Sequence, residues 1–150
     1  MARGAGSAPG ARRPRGTPLE RLILDTTVLV AAERAGGALD RLIGDEDDVA
    51  IAAVTAAELL VGVELADGRR RERRRRYVEE LLETVPVEDY DLEVARTHAT
   101  LLAHVRREGR PRGAHDLIVA ATALARDRVV VTTDAGGFAG LPGLAVRAPR

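Results

Sequence analysis

The chain has 150 residues, 23 acidic and 23 basic side chains, no cysteine and an aromatic content of 2%. This composition excludes disulfides and thiolate metal sites, and it excludes a nucleic-acid surface built from several stacked rings. The length allows one domain of ordinary size. No apolar run approaches the length that crosses a bilayer, so we expect no membrane association and a location in the reducing cytoplasm.

The beginning of the chain differs from the rest in composition. Residues 1–18 are rich in glycine, alanine, proline and arginine and contain little apolar bulk. Such a segment cannot offset the entropy lost on ordering, so we expect a disordered tail. The folded domain is then expected over residues 19–150.

The first predicted strand is a short apolar run, residues 21–24, that stops at Asp25. A helical pattern follows over residues 28–34, and a second short helix is predicted over residues 38–43. In open α/β sheets the ligand lies at the carboxyl ends of the strands. Asp25 therefore stands where chemistry is expected.

The later elements follow the same logic of buried strands alternating with helical patterns. In chain order we predict an acidic turn at 45–48, a strand at 49–54 that ends at Thr55, helices at 55–66, 69–83, 91–107 and 115–126, a strand at 129–133 that ends at Asp134, and an edge strand at 144–146. Strands and helices in this order indicate an α/β sandwich with a mostly parallel central sheet.

Four acids fall where a predicted strand ends or a predicted helix begins, and each has an ordinary structural explanation. Asp25 suits a helix N-cap. Glu58 completes a capping box with Thr55. Asp116 lies in a first turn, where the helix dipole favours an anion, and Asp134 suits a turn.

Together the same four acids support a different interpretation. Parallel strands bring their carboxyl ends to one edge of the sheet, and two carboxylates about 6 Å apart repel by about 2–3 kcal/mol at an effective dielectric near 20. Such a cluster needs a cation, and oxygen ligands without cysteine or paired histidines favour Mg²⁺ or Mn²⁺ over Zn²⁺. A metal held this way commonly serves phosphodiester hydrolysis.

Four motifs spread over residues 22–147 resemble those of one family. They are Leu24-Asp25-Thr26-Thr27-Val28-Leu29; Thr55-Ala56-Ala57-Glu58-Leu59 with Gly62; Gly113-Ala114-His115-Asp116-Leu117-Ile118-Val119-Ala120-Ala121; and Val131-Thr132-Thr133-Asp134 with Phe138 and Gly143-Leu144. With these motifs the chain resembles the PIN-domain ribonucleases, and among them the VapC toxins of VapBC toxin–antitoxin pairs. The resemblance implies a PIN-like fold, a metal-dependent endoribonuclease, an RNA substrate, a VapB-like antitoxin and a homodimer.

The resemblance also implies roles for individual residues. Asp25 and Asp116 would be the principal metal ligands, and Glu58 and Asp134 would complete the acidic cluster. Either Thr132 or Thr133 would have a supporting role.

One position departs from the family pattern. The family often has an aspartate immediately before the phenylalanine, whereas Gly137 precedes Phe138 in this chain. We therefore expect Asp134 to supply the fourth carboxylate. A degenerate module that binds RNA or an antitoxin without cleavage is the alternative that this departure leaves open, and metal dependence distinguishes the two. An aspartyl-phosphate enzyme is disfavoured, because Thr27 stands where a second aspartate is needed.

Arginine and histidine side chains are the candidates for contacts with a substrate. Arg107, Arg110 and Arg112 lead into Asp116 and are predicted to bind the RNA backbone. The arginine run of residues 69–76 covers every side of a helix, which favours a solvated segment over an RNA-binding or partner-binding surface. His115 is interpreted as a helix-start residue without a role.

Overall fold

The computed structural model describes residues 19–37, 39, 44 and 46–150. The predicted tail of residues 1–18 and most of the predicted helix of residues 38–43 lie outside this part. None of the helices in the described ranges is long and apolar enough to cross a membrane.

A parallel sheet forms the centre of the molecule. Its strands are β1 (Arg21–Leu24), β2 (Asp48–Ala52), β3 (Val87–Glu88), β4 (Val129–Val131) and β5 (Val146–Arg147). They lie in the order β3-β2-β1-β4-β5, and all neighbouring pairs are parallel. The predicted α/β class with a mostly parallel sheet is confirmed.

Helices cover both faces of the sheet. They are α1 (Thr26–Arg34), α2 (Ala53–Leu65), α3 (Gly68–Thr84), α4 (Leu92–Glu108) and α5 (Ala114–Ala125), with a short 3₁₀ helix at Ala135–Gly137. The central strand β1 alternates its side chains between the two faces. Ile23 packs in the cluster formed by α4 and α5, whereas Leu22 and Leu24 pack with α1, α2 and α3. Two apolar layers thus hold the sheet rigid beneath its carboxyl edge.

Several boundaries differ from the prediction. Strand β2 ends at Ala52 and α2 begins at Ala53, because the alanine-rich sequence favours a helix despite β-branched neighbours. Asp48 belongs to β2 and not to a turn. Strand β3 has only two residues and carries no periodic signal, so the sequence did not indicate it.

The arginine run of residues 69–76 lies in α3 and is partly neutralised. Three of its arginines make ion pairs with acids of α1, α2 and α3: Arg71 with Glu64, Arg74 with Glu33, and Arg75 with Glu72. The other arginines of the run are exposed. The first two pairs join the first half of α3 to α2 and α1, and the third lies within α3.

Candidate active site

The four predicted acids line one cleft at the carboxyl edge of the sheet. Its volume is about 500 Å³, and its lining is Asp25, Thr26, Thr27, Val30, Ala31, Arg34, Glu58, Asp116, Thr133 and Asp134. Strands β1 and β4 are neighbours, with Leu24 opposite Val131. The residues that follow them, Asp25 and Thr132, therefore lie side by side.

Hydroxyl groups fix the carboxylate of Asp25. Its Oδ2 accepts hydrogen bonds from Thr27 Oγ1 at 2.9 Å and from Thr132 Oγ1 at 2.8 Å. Asp25 is at the N-cap position of α1, but its side chain makes no capping hydrogen bond, so the N-cap explanation does not account for it. The side chain is only 5% exposed. Asp25 is therefore held in one orientation at the floor of the cleft.

The loop after β4 is tied to the same threonines. The backbone N–H of Asp134 donates to Thr132 Oγ1 at 3.0 Å, and that of Thr133 donates to Thr27 Oγ1 at 3.2 Å. Thr132 is buried, whereas Thr133 is exposed on the cleft wall. These bonds place the Asp134 carboxylate beside the cleft.

Asp116 lies in the first turn of α5, as predicted. A Cβ atom added at Gly137 would lie 2.7 Å from Asp116 Oδ2, which no ordinary contact allows. The departure from the family pattern at position 137 thus makes room for this carboxylate. Burial raises the pKa of Asp116 above its usual value, and the three other acids of the cleft raise it further.

The capping-box interpretation of Glu58 is wrong. Helix α2 begins five residues before Glu58, and the hydroxyl of Thr55 is buried without a partner. The Glu58 carboxylate instead accepts from Thr26 Oγ1 at 2.7 Å and bonds His115 Nδ1 at 2.9 Å. Glu58 therefore faces the cleft and not its own helix start.

Two residues of this region were not assigned to the site from the sequence, which predicted no role for His115 and did not single out Arg34. His115 contacts Glu58 across 57 residues of chain, a separation that no local pattern reveals. Arg34 lines the cleft from the last turn of α1. Its position nine residues after Asp25, at the end of the helix that Asp25 precedes, is the signal that the sequence offered.

The predicted RNA-binding arginines differ in their surroundings. Arg112 donates to the carbonyl oxygens of Gly136, at 3.1 Å, and of Ala139. Arg107 and Arg110 are exposed. Arg112 is therefore engaged in contacts within the protein, whereas Arg107 and Arg110 are exposed to solvent.

The carboxylate oxygens of the cleft are the donor type that Mg²⁺ and Mn²⁺ prefer, but the acids do not stand at ligand spacing in this structure. Within residues 19–37, 39, 44 and 46–150, no three histidine, aspartate or glutamate side chains already stand at the spacing of a complete metal site. Hydrogen bonds to Thr26 and His115 occupy both oxygens of Glu58. The mutual repulsion that raises the pKa of Asp116 is the feature that a bound cation would offset.

Comparisons with known proteins agree with this geometry. The sequence pattern of the PIN domain matches residues 22–144. Ribonuclease VapC5 of Mycobacterium tuberculosis is 40% identical over 126 residues, which cover 82% of this chain and 89% of that protein. The tRNA(fMet)-specific endonuclease VapC of Shigella flexneri is 27% identical over 126 residues, which cover 83% and 93%. The crystal structure of VapBC-5 from Mycobacterium tuberculosis matches with a TM-score of 0.69 and 35% identity, covering 89% of this chain and 99% of that one.

Proposed function

Because the chain belongs to the PIN-domain family, we propose that it is a metal-dependent endoribonuclease that acts as the toxin of a toxin–antitoxin pair. The observation that carries this proposal is the convergence of four carboxylates on one cleft, with Asp116 against Gly137. The relatives named ribonuclease and endonuclease support RNA as the substrate.

The acids divide into two groups in this proposal. Asp25 and Asp116 are the principal ligands of a divalent ion, which is Mg²⁺ or Mn²⁺, and Glu58 and Asp134 complete its surroundings. When bound, the ion supplies a water of lowered pKa and neutralises charge on the phosphate. Thr132 acts by orienting Asp25, in keeping with its hydrogen bond to Oδ2.

The substrate is held by positive charge at the rim of the acidic cleft. Arg34 lines the cleft about two helical turns, or about 12 Å along the axis, from Thr26. A guanidinium at that distance reaches a phosphate next to the one being cleaved. Phosphate contacts of this kind position the strand without reading its sequence.

The partner of the toxin follows from the same family membership. The VapBC-5 structure is described as a member of a family of toxin–antitoxin systems. We therefore infer a VapB-like antitoxin that covers the acidic cleft, and a homodimeric toxin. A cytoplasmic location follows from the RNA substrate.

A second candidate is a module that binds RNA or an antitoxin without cleaving RNA. It is favoured by one observation, which is that both oxygens of Glu58 are already engaged by Thr26 and His115. This candidate predicts RNA binding that does not require metal.

Cleavage of bulk tRNA and of single-stranded RNA, with Mg²⁺ or with EDTA, tests the proposal. We expect cleavage only with metal, and a loss of about 10²–10³-fold for Asp25→Asn or Asp116→Asn, because each removes charge from the reacting centre. Asp89→Asn is the matched control, since Asp89 is exposed and outside the cleft. A fully active Asp116→Asn protein, or cleavage that persists in EDTA, would contradict the proposal.

A further inference from the structure

A second cavity lies beside the acidic cleft, and the roles proposed above leave it unused. Its volume is about 600 Å³, and it runs between residues 109–113 and residues 136–140. We name it the glycine groove, after the residues that line it: Gly109, Arg110, Pro111, Arg112, Gly113, Gly136, Gly137, Ala139 and Gly140.

The carboxylate of Asp116 lies where the glycine groove adjoins the acidic cleft. Asp116 lines the cleft. A Cβ atom added at Gly113 would lie 3.3 Å from Asp116 Oδ2, and one at Gly137 would lie 2.7 Å away. Both glycines belong to the groove. A chain molecule seated on the carboxylates therefore continues directly into the groove.

Arg112 fixes the two walls of the groove relative to each other. It belongs to the first wall, and its guanidinium donates to the carbonyl oxygens of Gly136 and Ala139 in the second. Two of its donors are thus used inside the protein. The width of the groove is set by this side chain, which makes Arg112 a positioning residue.

Arg110 is the charged group that the groove offers to a ligand. It is exposed, and among the described residues it has no ion-pair partner. A free guanidinium matches a phosphate diester. The glycines beside it carry no side chain, so a planar base can approach the backbone closely. The volume lies in the range of sites for nucleotide-sized ligands.

We propose that the glycine groove holds the nucleotide next to the scissile phosphate of a single-stranded RNA, with Arg110 on its phosphate and Arg112 fixing the two walls relative to each other. This inference rests on the proposed function, because the acidic cleft defines where the strand is cut. It adds that the strand runs past Asp116 between two glycine-lined walls.

Binding of a fluorescent 12-nucleotide single-stranded RNA of mixed sequence tests the groove, with the full chain carrying Asp25→Asn to prevent cleavage. Ala139→Phe fills the groove, since Ala139 is exposed there. Arg110→Gln removes the phosphate contact. We expect each to weaken binding about tenfold, and Arg110→Gln to lower the salt slope by about 1. Thermal midpoints verify that the variants fold.

Matched controls are available on the exposed surface of α4. Ala99→Phe adds the same bulk and Arg96→Gln removes the same charge, and both positions lie outside the groove. Both controls are expected to bind RNA as the parent does. Equal affinity of the parent and the two groove variants would overturn the inference. So would unchanged RNA binding with loss of antitoxin binding, which would assign the groove to the protein partner.

Failure of the proposed function has a separate signature. It would appear as an absence of metal-dependent cleavage by the unsubstituted chain. If the unsubstituted chain cleaves RNA and Ala139→Phe leaves RNA binding unchanged, the proposal for the glycine groove is wrong and the proposed function stands.

Discussion

The two edges of the sheet differ in whether their charged side chains are paired within the chain. At the amino ends of the strands, Arg21 pairs with Asp48 at 2.6 Å and Arg128 pairs with Asp48 at 3.0 Å. Arg128 also reaches Glu88, the last residue of β3, at 2.7 Å. At the carboxyl ends, four acids surround one cleft, where burial and then repulsion from the other three acids raise the pKa of Asp116. The amino edge is neutralised within the chain, whereas the carboxyl edge leaves negative charge for a ligand to neutralise.

This contrast separates stability from function. Paired charges at the amino edge hold β1, β2 and β4 together, since Arg128 also donates to the backbone oxygens of Leu22 and Asp48. Among the described residues, Asp25, Asp116 and Asp134 at the carboxyl edge have no arginine partner, and repulsion between them opposes folding. Groups whose arrangement opposes folding are candidates for function.

The largest effect on stability is expected at the amino edge. Arg128→Met removes an arginine whose side chain is only 6% exposed. Asp48 and Glu88 keep their other partners, Arg21 and Arg126, but the backbone oxygens of Leu22 and Asp48 lose a donor. We expect a loss of about 3 kcal/mol in the free energy of unfolding, at the lower end for a buried pair because the acids are partly exposed. Urea unfolding measures it.

The control for that change is Arg21→Gln in the same edge. The Arg21 side chain is 45% exposed, so its removal should cost no more than about 1 kcal/mol. Equal effects of the two substitutions would show that burial does not govern the amino edge.

A smaller effect is expected from Thr132, whose hydroxyl group orients the Asp25 carboxylate at the carboxyl edge. Thr132→Val removes the hydroxyl that donates to Asp25 Oδ2. We expect cleavage or metal affinity to fall about 10–100-fold, as for other residues that orient a ligand. Thr122→Val is the control, because Thr122 is equally buried but bonds only Ile118 O in α5. Comparable losses in the two variants would contradict an orienting role.

The smallest expected effect is on the melting temperature, which should change in opposite directions for substitutions at the two edges. In EDTA, Asp116→Asn should raise the melting temperature by a few degrees, because it removes repulsion. Asp48→Asn should lower it slightly, because it breaks two ion pairs. A lower melting temperature for both variants would argue against stored repulsion in the cleft.

The pH dependence follows from the pKa of Asp116, which is raised in the folded state. The folded protein then binds the proton more tightly than the unfolded chain does. The wild type is therefore penalised at neutral pH, and the penalty fades as pH falls through the raised pKa toward the usual aspartate value near 3.8. In EDTA, the difference in melting temperature between the wild type and Asp116→Asn should therefore decrease as pH is lowered over that interval.

The sequence predicted the parts of this molecule that depend on local pattern. The apolar run before Asp25 and the helix that carries Asp116 lie within one residue of where the periodicity placed them, whereas the predicted strand of residues 129–133 ends at Val131. Because parallel strands share one carboxyl edge, these elements were enough to predict that the acids lie together.

The remaining features depend on contacts that are distant in sequence. Thr55 and Glu58 match a capping box in spacing, but the helix begins two residues before Thr55 and the match is accidental. The bond between His115 and Glu58 joins two helices. The tight contact of Gly137 with Asp116 appears only once α5 and the loop after β4 are packed.

The most direct test of the difference between the two edges is thermal unfolding in EDTA and in millimolar Mg²⁺ or Mn²⁺, with the Asp25→Asn/Asp116→Asn double variant in parallel. A metal at about 100 times its dissociation constant stabilises a protein by about 2.7 kcal/mol. We predict a higher midpoint with metal for the wild type and no change for the double variant. Midpoints that do not respond to metal in either protein, or that rise equally in both, would contradict a metal site at the carboxyl edge.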